Sequence, residues 1–108
     1  WVARGFDVAS IGLAKLPGTD TRKIYELDSN AATAQLNALG ETTVDTVVFS
    51  GTGMPSLRAI LRARDTGVSA VSSNLCLAWA LGRALGVVDK QTSPLALLDA
   101  RAERLDSL

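Results

Sequence analysis

The sequence predicts an α/β fold with three layers, in which helices cover both faces of a parallel sheet. Short runs of apolar residues alternate along the chain with segments of helical periodicity, and this order is typical of parallel sheets with right-handed crossovers. The central run, residues 44–50 (VDTVVFS), is rich in β-branched residues and shows little alternation. Such a run is expected for a strand that is covered on both faces. The length of 108 residues suggests one domain over residues 1–108.

The first half of the chain contains two predicted strands and one predicted helix. Residues 1–4 resemble the last turn of a helix, and Gly5 suits its C-cap. Residues 6–13 alternate weakly and are predicted to form the first strand. Asp28 or Ser29 is predicted to cap a helix over residues 29–39, which Gly40 would end. The strand over residues 44–50 follows.

The second half continues the same alternation. Pro55 is predicted to lie in the first turn of a helix that ends at residues 65–67. A third strand is predicted over residues 68–71. The next helix would run to residue 85, with Trp79, Leu77 and Leu81 packed in the core. A last helix is predicted from Pro94 to about residue 106, capped by Thr92 or Ser93.

Composition and charge exclude several classes of protein. Eleven basic and eleven acidic residues cancel, so no basic surplus indicates a nucleic acid or membrane partner. The chain has no histidine and one cysteine, which leaves no zinc cluster and no serine–histidine or cysteine–histidine pair. No metal or other cofactor is expected. A lone cysteine fits a reducing cytoplasm, and the missing initial methionine suggests that the chain begins inside a longer polypeptide.

Two loops of small polar residues are the candidate binding site. Ser50, Gly51, Thr52 and Gly53 follow the central strand and precede a helix. Free amides at that helix start favour an anion such as a carboxylate, although an ordinary strand-to-helix turn also needs small residues. Residues 72–74 (Ser-Ser-Asn) follow the next strand and equally suit a helix N-cap. In a parallel sheet the two loops would be neighbours, outside the carboxyl ends of the strands.

Two further sequence features are weaker evidence for a functional site. Cys76 lies near a helix N-terminus, where a thiolate is favoured, but it stands between two leucines, as buried and inert cysteines usually do. Residues 51–56 (GTGMPS) contain the first two glycines of a dinucleotide fingerprint. Ser56 replaces the third glycine, however, and the acidic residue expected about 20 positions later is absent. Nucleotide binding therefore remains a minor alternative.

The order of these motifs resembles the carboxy-terminal half of the aspartate/glutamate racemase superfamily, with maleate cis-trans isomerase and arylmalonate decarboxylase as its nearest branches. The shared features are a strand followed by a small polar loop, a helix, a strand ending in Ser-Ser-Asn, and a tryptophan five residues after that asparagine. The resemblance covers most of residues 1–88, and residues 89–108 match only as a trailing helix. The matching residues are Gly5, Phe6, residues 47–52, Leu57, residues 67–74 and Trp79.

The resemblance implies a flavodoxin-like half of a two-domain protein, with the active site in a cleft between similar halves. Each half of such proteins typically offers one cysteine, and proton transfer between thiols and a small mono- or dicarboxylic acid needs no cofactor. Carried over, Ser50 and Thr52 match carboxylate-binding positions, and Ser73 and Asn74 match the second substrate loop. This would make the chain part of a cytoplasmic racemase, isomerase or decarboxylase, with Ser50, Gly51, Thr52 and Asn74 binding the carboxylate and the oxyanion.

The chain departs from the family pattern at Gly51, which occupies the position of the family's second cysteine. No residue of this chain is therefore assigned as the catalytic thiol. The thiol would come from an absent amino-terminal half, or the chain would be a divergent relative with different chemistry. The alternative is a carboxylate-binding or assembly module with no catalytic activity, in which two copies of the chain would pair across the cleft.

Overall fold

A computed structural model describes residues 1–14, 21–40, 43–51 and 53–99 of the chain. These residues form a small mixed domain with a two-stranded parallel sheet and four α-helices. Two short 3-10 helices precede them, over Val2–Arg4 and Thr21–Glu26. The elements that follow are α1 (Ser29–Ala38), β1 (Thr46–Phe49), α2 (Leu57–Asp65), β2 (Ser69–Ser72), α3 (Ser73–Ala84) and α4 (Pro94–Asp99).

Most helix ends follow the predicted local signals, but α2 begins at Leu57, so Pro55 precedes the helix and does not lie in its first turn. Asp28 caps α1, and its carboxylate accepts hydrogen bonds from two backbone amides of the first turn, at 3.0 and 3.1 Å. Ser72 caps α3 and Ser93 caps α4 through their hydroxyl groups. Gly5 takes the left-handed conformation after the first 3-10 helix, as predicted. The last helix begins at Pro94 as expected, and its predicted continuation beyond residue 99 lies outside the described residues.

The two strands pair in parallel, which confirms the predicted direction of the sheet. In the register Val47 lies opposite Ala70, and Phe49 lies opposite Ser72. Because side chains alternate along a strand, these four residues share one face of the sheet. Phe49, Ala70 and Ser72 are buried there, and Val47 packs against the core. The strands therefore contribute one continuous face to the core.

The other face of the sheet carries Thr46, Val48, Ser69 and Val71. Val48 is 41% exposed, and neither valine belongs to the core cluster or packs against it. The core cluster instead joins Phe49 and Ala70 to residues of all four helices: Ala32, Ala59, Ile60, Ala63, Leu75 and Leu98. In the described residues the helical layer thus packs against one face of the sheet.

The strand predicted over residues 6–13 is not formed. These residues have no regular secondary structure, and Ile11 and Leu13 are 80% and 81% exposed. Weak alternation alone does not make a strand, because a strand is stable only through hydrogen bonds to a neighbouring strand. No described residue of β1 or β2 pairs with this segment.

The second prediction that proved wrong concerns which side of helix α3 faces the core. Leu77 and Leu81 were expected in the core, but they are 56% and 54% exposed. The helix instead turns Leu75 and Gly82 inward, where both are buried. Leu77 lies two positions after Leu75, and Leu81 lies one position before Gly82, so both leucines point away from the buried side of the helix. Trp79 is half-buried, and its indole N–H donates a hydrogen bond to the Thr92 carbonyl oxygen.

Candidate functional site

The carboxyl ends of the two strands lie side by side. Because Phe49 and Ser72 are partners in the register, the chain leaves both strands at the same level and the same edge of the sheet. Ser50 begins the first loop, and Ser73 begins the first turn of α3. The two loops are therefore neighbours, as the parallel arrangement predicts. This edge is where open α/β sheets bind their ligands.

The first loop has a backbone that glycine alone adopts readily. Gly51 has φ +100°, a conformation that strains any residue with a Cβ atom. A Cβ atom built at this position meets no other atom within 4 Å, so the constraint comes from the backbone and not from crowding. Ser50 and Gly51 are both exposed. Thr52, the third predicted residue of this loop, lies outside the described residues.

A cavity of about 840 Å³ lies beside the two loops, within the range typical of small-molecule sites. Asn74 and Ser72 line it, whereas Ser50, Gly51 and Ser73 do not. Asn74 is thus the predicted binding residue that lines the cavity. Ser72, the N-cap of α3, lines it as well. The full set of lining residues is Ser29, Met54, Pro55, Ser56, Leu57, Arg58, Ser72, Asn74, Leu75, Ala78, Gly82, Val87, Val88, Leu97 and Leu98.

Three helix N-termini contribute polar groups to this cavity, and they are not equivalent. At α3 the Ser72 hydroxyl accepts the Leu75 amide at 3.2 Å, and at α1 the Asp28 carboxylate occupies the first amides. At α2 the N-cap residue Ser56 makes no side-chain capping bond. The first turn of α2 is therefore the one of these three helix starts without a capping bond from its own N-cap side chain, which makes its amides the candidate anion site.

Arg58 lies in that same first turn and lines the cavity. Its side chain is exposed and forms no ion pair with any other described residue. A cation in the first turn is unfavourable for the helix dipole, which prefers negative charge there. A bound anion between the guanidinium and the amides would remove that conflict. The sequence analysis did not identify Arg58, although a basic residue two positions after a helix N-cap was the available signal.

The walls of the cavity are mainly apolar. Leu75, Ala78 and Gly82 present one face of α3 to it, and Leu97 and Leu98 present α4. Val87 and Val88 close one side, because their amides donate hydrogen bonds to the Gly82 carbonyl oxygen at 3.0 and 3.1 Å. Arg58 is the one charged residue in the described lining. The cavity can thus take an organic molecule with one anionic group.

The lone thiol does not contribute to this cavity. Cys76 is half-buried on the first turn of α3, and it is not among the residues that line the space. Within the described ranges, no group of three or more acidic or cysteine side chains could hold a metal ion. In the same part of the chain, no helix is long and apolar enough to cross a membrane.

A second, smaller cavity of about 250 Å³ lies at the amino end of β2. Gly67, Val68 and Ala70 line it together with residues of α2 and α4, among them Arg64. Arg64 already forms an ion pair with Asp99. Within the described residues, this space therefore lacks the two features of the larger cavity, an arginine without an ion-pair partner and a helix N-cap without a side-chain capping bond.

Comparison with family models, curated proteins and solved structures finds no match to the chain.

Proposed function

We propose that this chain binds a small carboxylic acid as the carboxy-terminal half of a racemase, isomerase or decarboxylase similar to the aspartate/glutamate racemase superfamily. The observation that carries the proposal is the start of α2. Ser56 makes no side-chain capping bond there, and Ser56, Leu57 and Arg58 all line the same cavity. A carboxylate has two oxygens and one charge, which suits a bidentate arginine and a helix N-terminus together.

The lining supports one class of substrate over another. A dicarboxylate carries two negative charges, and burial of an unpaired charge costs several kcal/mol. Arg58 is the single cation among the described lining residues, and most of its neighbours there are apolar. The favoured ligand is therefore a monocarboxylate with an aryl or branched alkyl group, such as the arylacetate that forms when an aryl-substituted malonate loses carbon dioxide and takes up a proton.

The chemistry proposed for this half is stabilisation of negative charge. Removal of a proton, or loss of carbon dioxide, leaves an electron pair on the carbon next to the carboxylate. That pair spreads onto the carboxylate oxygens as an enediolate, and preorganised donors at those oxygens lower the barrier. Arg58, the first amides of α2 and the Asn74 side chain would be such donors. For racemisation or isomerisation, a thiolate of an absent amino-terminal half would take the proton and then return it to the carbon. For decarboxylation, the carboxyl group would leave as carbon dioxide and the thiol of that half would protonate the carbon.

This proposal also extends to the architecture. The three-layer, flavodoxin-like arrangement requires a second covering for the sheet face that carries Val48 and Val71. We further propose the cytoplasm as the location of the protein, because a catalytic thiol has to stay reduced.

The test of carboxylate binding is calorimetric titration of the chain with phenylacetate. Arg58→Leu is expected to weaken binding by about tenfold or more, because a hydrogen bond to a charged group is worth about 1.5–3 kcal/mol. Arg62→Leu is the matched control: it removes an exposed arginine one turn later in α2 that does not line the cavity. Benzyl alcohol, which lacks the charge, should bind more weakly than phenylacetate to the unmodified chain. Equal loss in both arginine variants would contradict the assignment.

A specific observation favours one alternative function. Gly51 removes the family's cysteine, and its backbone at φ +100° is unsuitable for a cysteine. A carboxylate-binding module without catalysis needs no thiol at this position.

The enzyme and the binding module differ in what precedes Trp1 in the gene. An upstream α/β half with a cysteine after a strand would favour the enzyme, and its longer protein should exchange the α-proton of the bound acid with deuterated water. A start codon near Trp1 would favour the binding module.

A further inference from the structure

The polar and apolar residues that line the larger cavity are segregated. Its polar lining residues all lie at the starts of α1, α2 and α3. They are Ser29, Ser56, Arg58, Ser72 and Asn74. Helix α3 follows β2 directly and α2 follows β1 after one loop, and the two strands end at the same level of the sheet. The polar end of the cavity therefore lies at the carboxyl edge of the sheet.

The apolar end of the cavity lies further along α3. Asn74, Ala78 and Gly82 line the cavity at intervals of four residues, so they share one side of the helix. Val87 and Val88 line it beside Gly82, because their amides donate hydrogen bonds to the Gly82 carbonyl oxygen. From Asn74 to Gly82 the helix rises about 12 Å, at about 1.5 Å per residue. The cavity thus runs along α3 from its polar end to a wall of apolar residues.

The size of the cavity exceeds the needs of a single aromatic ring. Its volume is about 840 Å³, whereas a cavity of about 150 Å³ already holds a benzene molecule. An extended chain advances about 1.2 Å per bond, as the polypeptide backbone does. About ten bonds therefore span the distance from the level of Asn74 to that of Gly82. A ligand that fills this length has a polar group at one end and a long apolar tail.

We propose that the acid bound in this cavity is a medium-chain carboxylic acid with an apolar tail of about ten carbon atoms. Its carboxylate lies at the start of α2, and its tail lies along α3 towards Gly82 and Val88. The position of the carboxylate rests on the function proposed above. The new inference is the length of the apolar tail and its direction.

Charge complementarity fixes the orientation of this ligand. Arg58 is the single charged residue in the described lining, and it lies at the polar end of the cavity. In the reverse orientation the carboxylate would lie among Gly82, Val87 and Val88, without a cation to pair with it. Such burial of an unpaired charge is strongly unfavourable. The tail, by contrast, loses nothing among apolar side chains.

The test is calorimetric titration with unbranched carboxylic acids from butanoate to dodecanoate. Burial of each added CH2 group should tighten binding about twofold to fourfold. Decanoate should therefore bind at least about tenfold more tightly than hexanoate, and dodecanoate should gain nothing further, because the tail then passes Val88. The alcohol 1-decanol has the same tail without the charge, so it should bind more weakly than decanoate.

A substitution in the middle of the cavity locates the tail on α3. Ala78→Leu places a larger side chain about 6 Å beyond Asn74 along the helix axis, which should block the tail after about five bonds. In this variant the affinity should stop rising near hexanoate, and the affinity for butanoate should be unchanged. Ala80→Leu is the matched control, because Ala80 is exposed on the same helix and does not line the cavity. It should keep the full dependence on chain length.

The two leucine variants are suited to this comparison because leucine is a good helix former, and circular dichroism verifies that both stay folded. Full chain-length dependence in Ala78→Leu would overturn the inference, since the tail would then lie on another surface. Equal affinities for hexanoate and decanoate, together with loss of phenylacetate binding in Arg58→Leu, would overturn the inference and leave the carboxylate site standing. Equal affinities for decanoate and 1-decanol would contradict the carboxylate site itself, and the orientation with it.

Discussion

Gly82 is the position where the structure makes its sharpest prediction about stability. It lies in α3, is buried, and lines the larger cavity. Its carbonyl oxygen accepts hydrogen bonds from the amides of Val87 and Val88, which holds the chain after the helix tightly against it. A Cβ atom at Gly82 would lie 2.5 Å from one Val88 methyl carbon and 3.3 Å from the Val88 Cβ.

Two effects of opposite sign decide the outcome of Gly82→Ala. In an open helix interior this change would stabilise the protein by about 1 kcal/mol. Here the new methyl group would be about 1 Å or more too close to Val88, since carbon atoms pack best at about 3.5–4.0 Å. Overpacking of this kind costs about 1–3 kcal/mol. We therefore expect a net loss of about 1 kcal/mol in the free energy of unfolding.

The assay is a double-mutant cycle in urea. Val88→Ala removes the methyl carbon at 2.5 Å and leaves the contact at 3.3 Å. In that background Gly82→Ala should be neutral or stabilising by up to about 1 kcal/mol, as in an ordinary helix. The coupling energy between the two sites should be about 1–2 kcal/mol, within the range for residues in direct contact. Thermal unfolding should show a shift of about 4 °C or more for each kcal/mol.

Two results would refute this reasoning. If Gly82→Ala stabilised the unmodified chain, the close approach of Val88 would not exist in solution. If the substitution had the same effect in both backgrounds, its cost would come from something other than Val88.

Three other positions give further predictions, each measured by urea unfolding. Asp28→Ala should lower the free energy of unfolding by about 1 kcal/mol, because the carboxylate caps α1; no change would mean that another group caps the helix. Arg64→Ala should cost less than about 1 kcal/mol, and less still in high salt, because its ion pair with Asp99 is about half exposed. A larger loss would contradict that estimate. Gly51→Ala should cost about 1 kcal/mol or more, because φ is +100°, and a neutral result would exclude this backbone.

The sequence predicts well those features that depend on local chemistry. Three of these features depend only on residues close together in the sequence. They are the Asp28 cap, the glycine after the first 3-10 helix and the start of the last helix. The parallel pairing of β1 and β2 was also predictable, because a helix connects two short β-branched runs. The neighbouring position of the two polar loops then follows from the register.

The sequence does not predict features that depend on distant parts of the chain. Residues 6–13 show weak alternation, yet no described strand pairs with them, so the pattern alone was insufficient. Leu77 and Leu81 are leucines and were assigned to the core, but the orientation of α3 is set by what Leu75 and Gly82 contact. Arg58 could not be assigned to the site from the sequence, because it lines the cavity only through the packing of the start of α2 near α3 and α4.

The most direct test of the central claim is a titration of isotope-labelled chain with phenylacetate, followed through the backbone amide signals in NMR. The account predicts that the largest shifts occur at residues 56–59, in the first turn of α2, with smaller ones at Asn74. Shifts centred on residues 67–70, beside the smaller cavity, would contradict the site. The absence of any shift at millimolar ligand would contradict carboxylate binding itself.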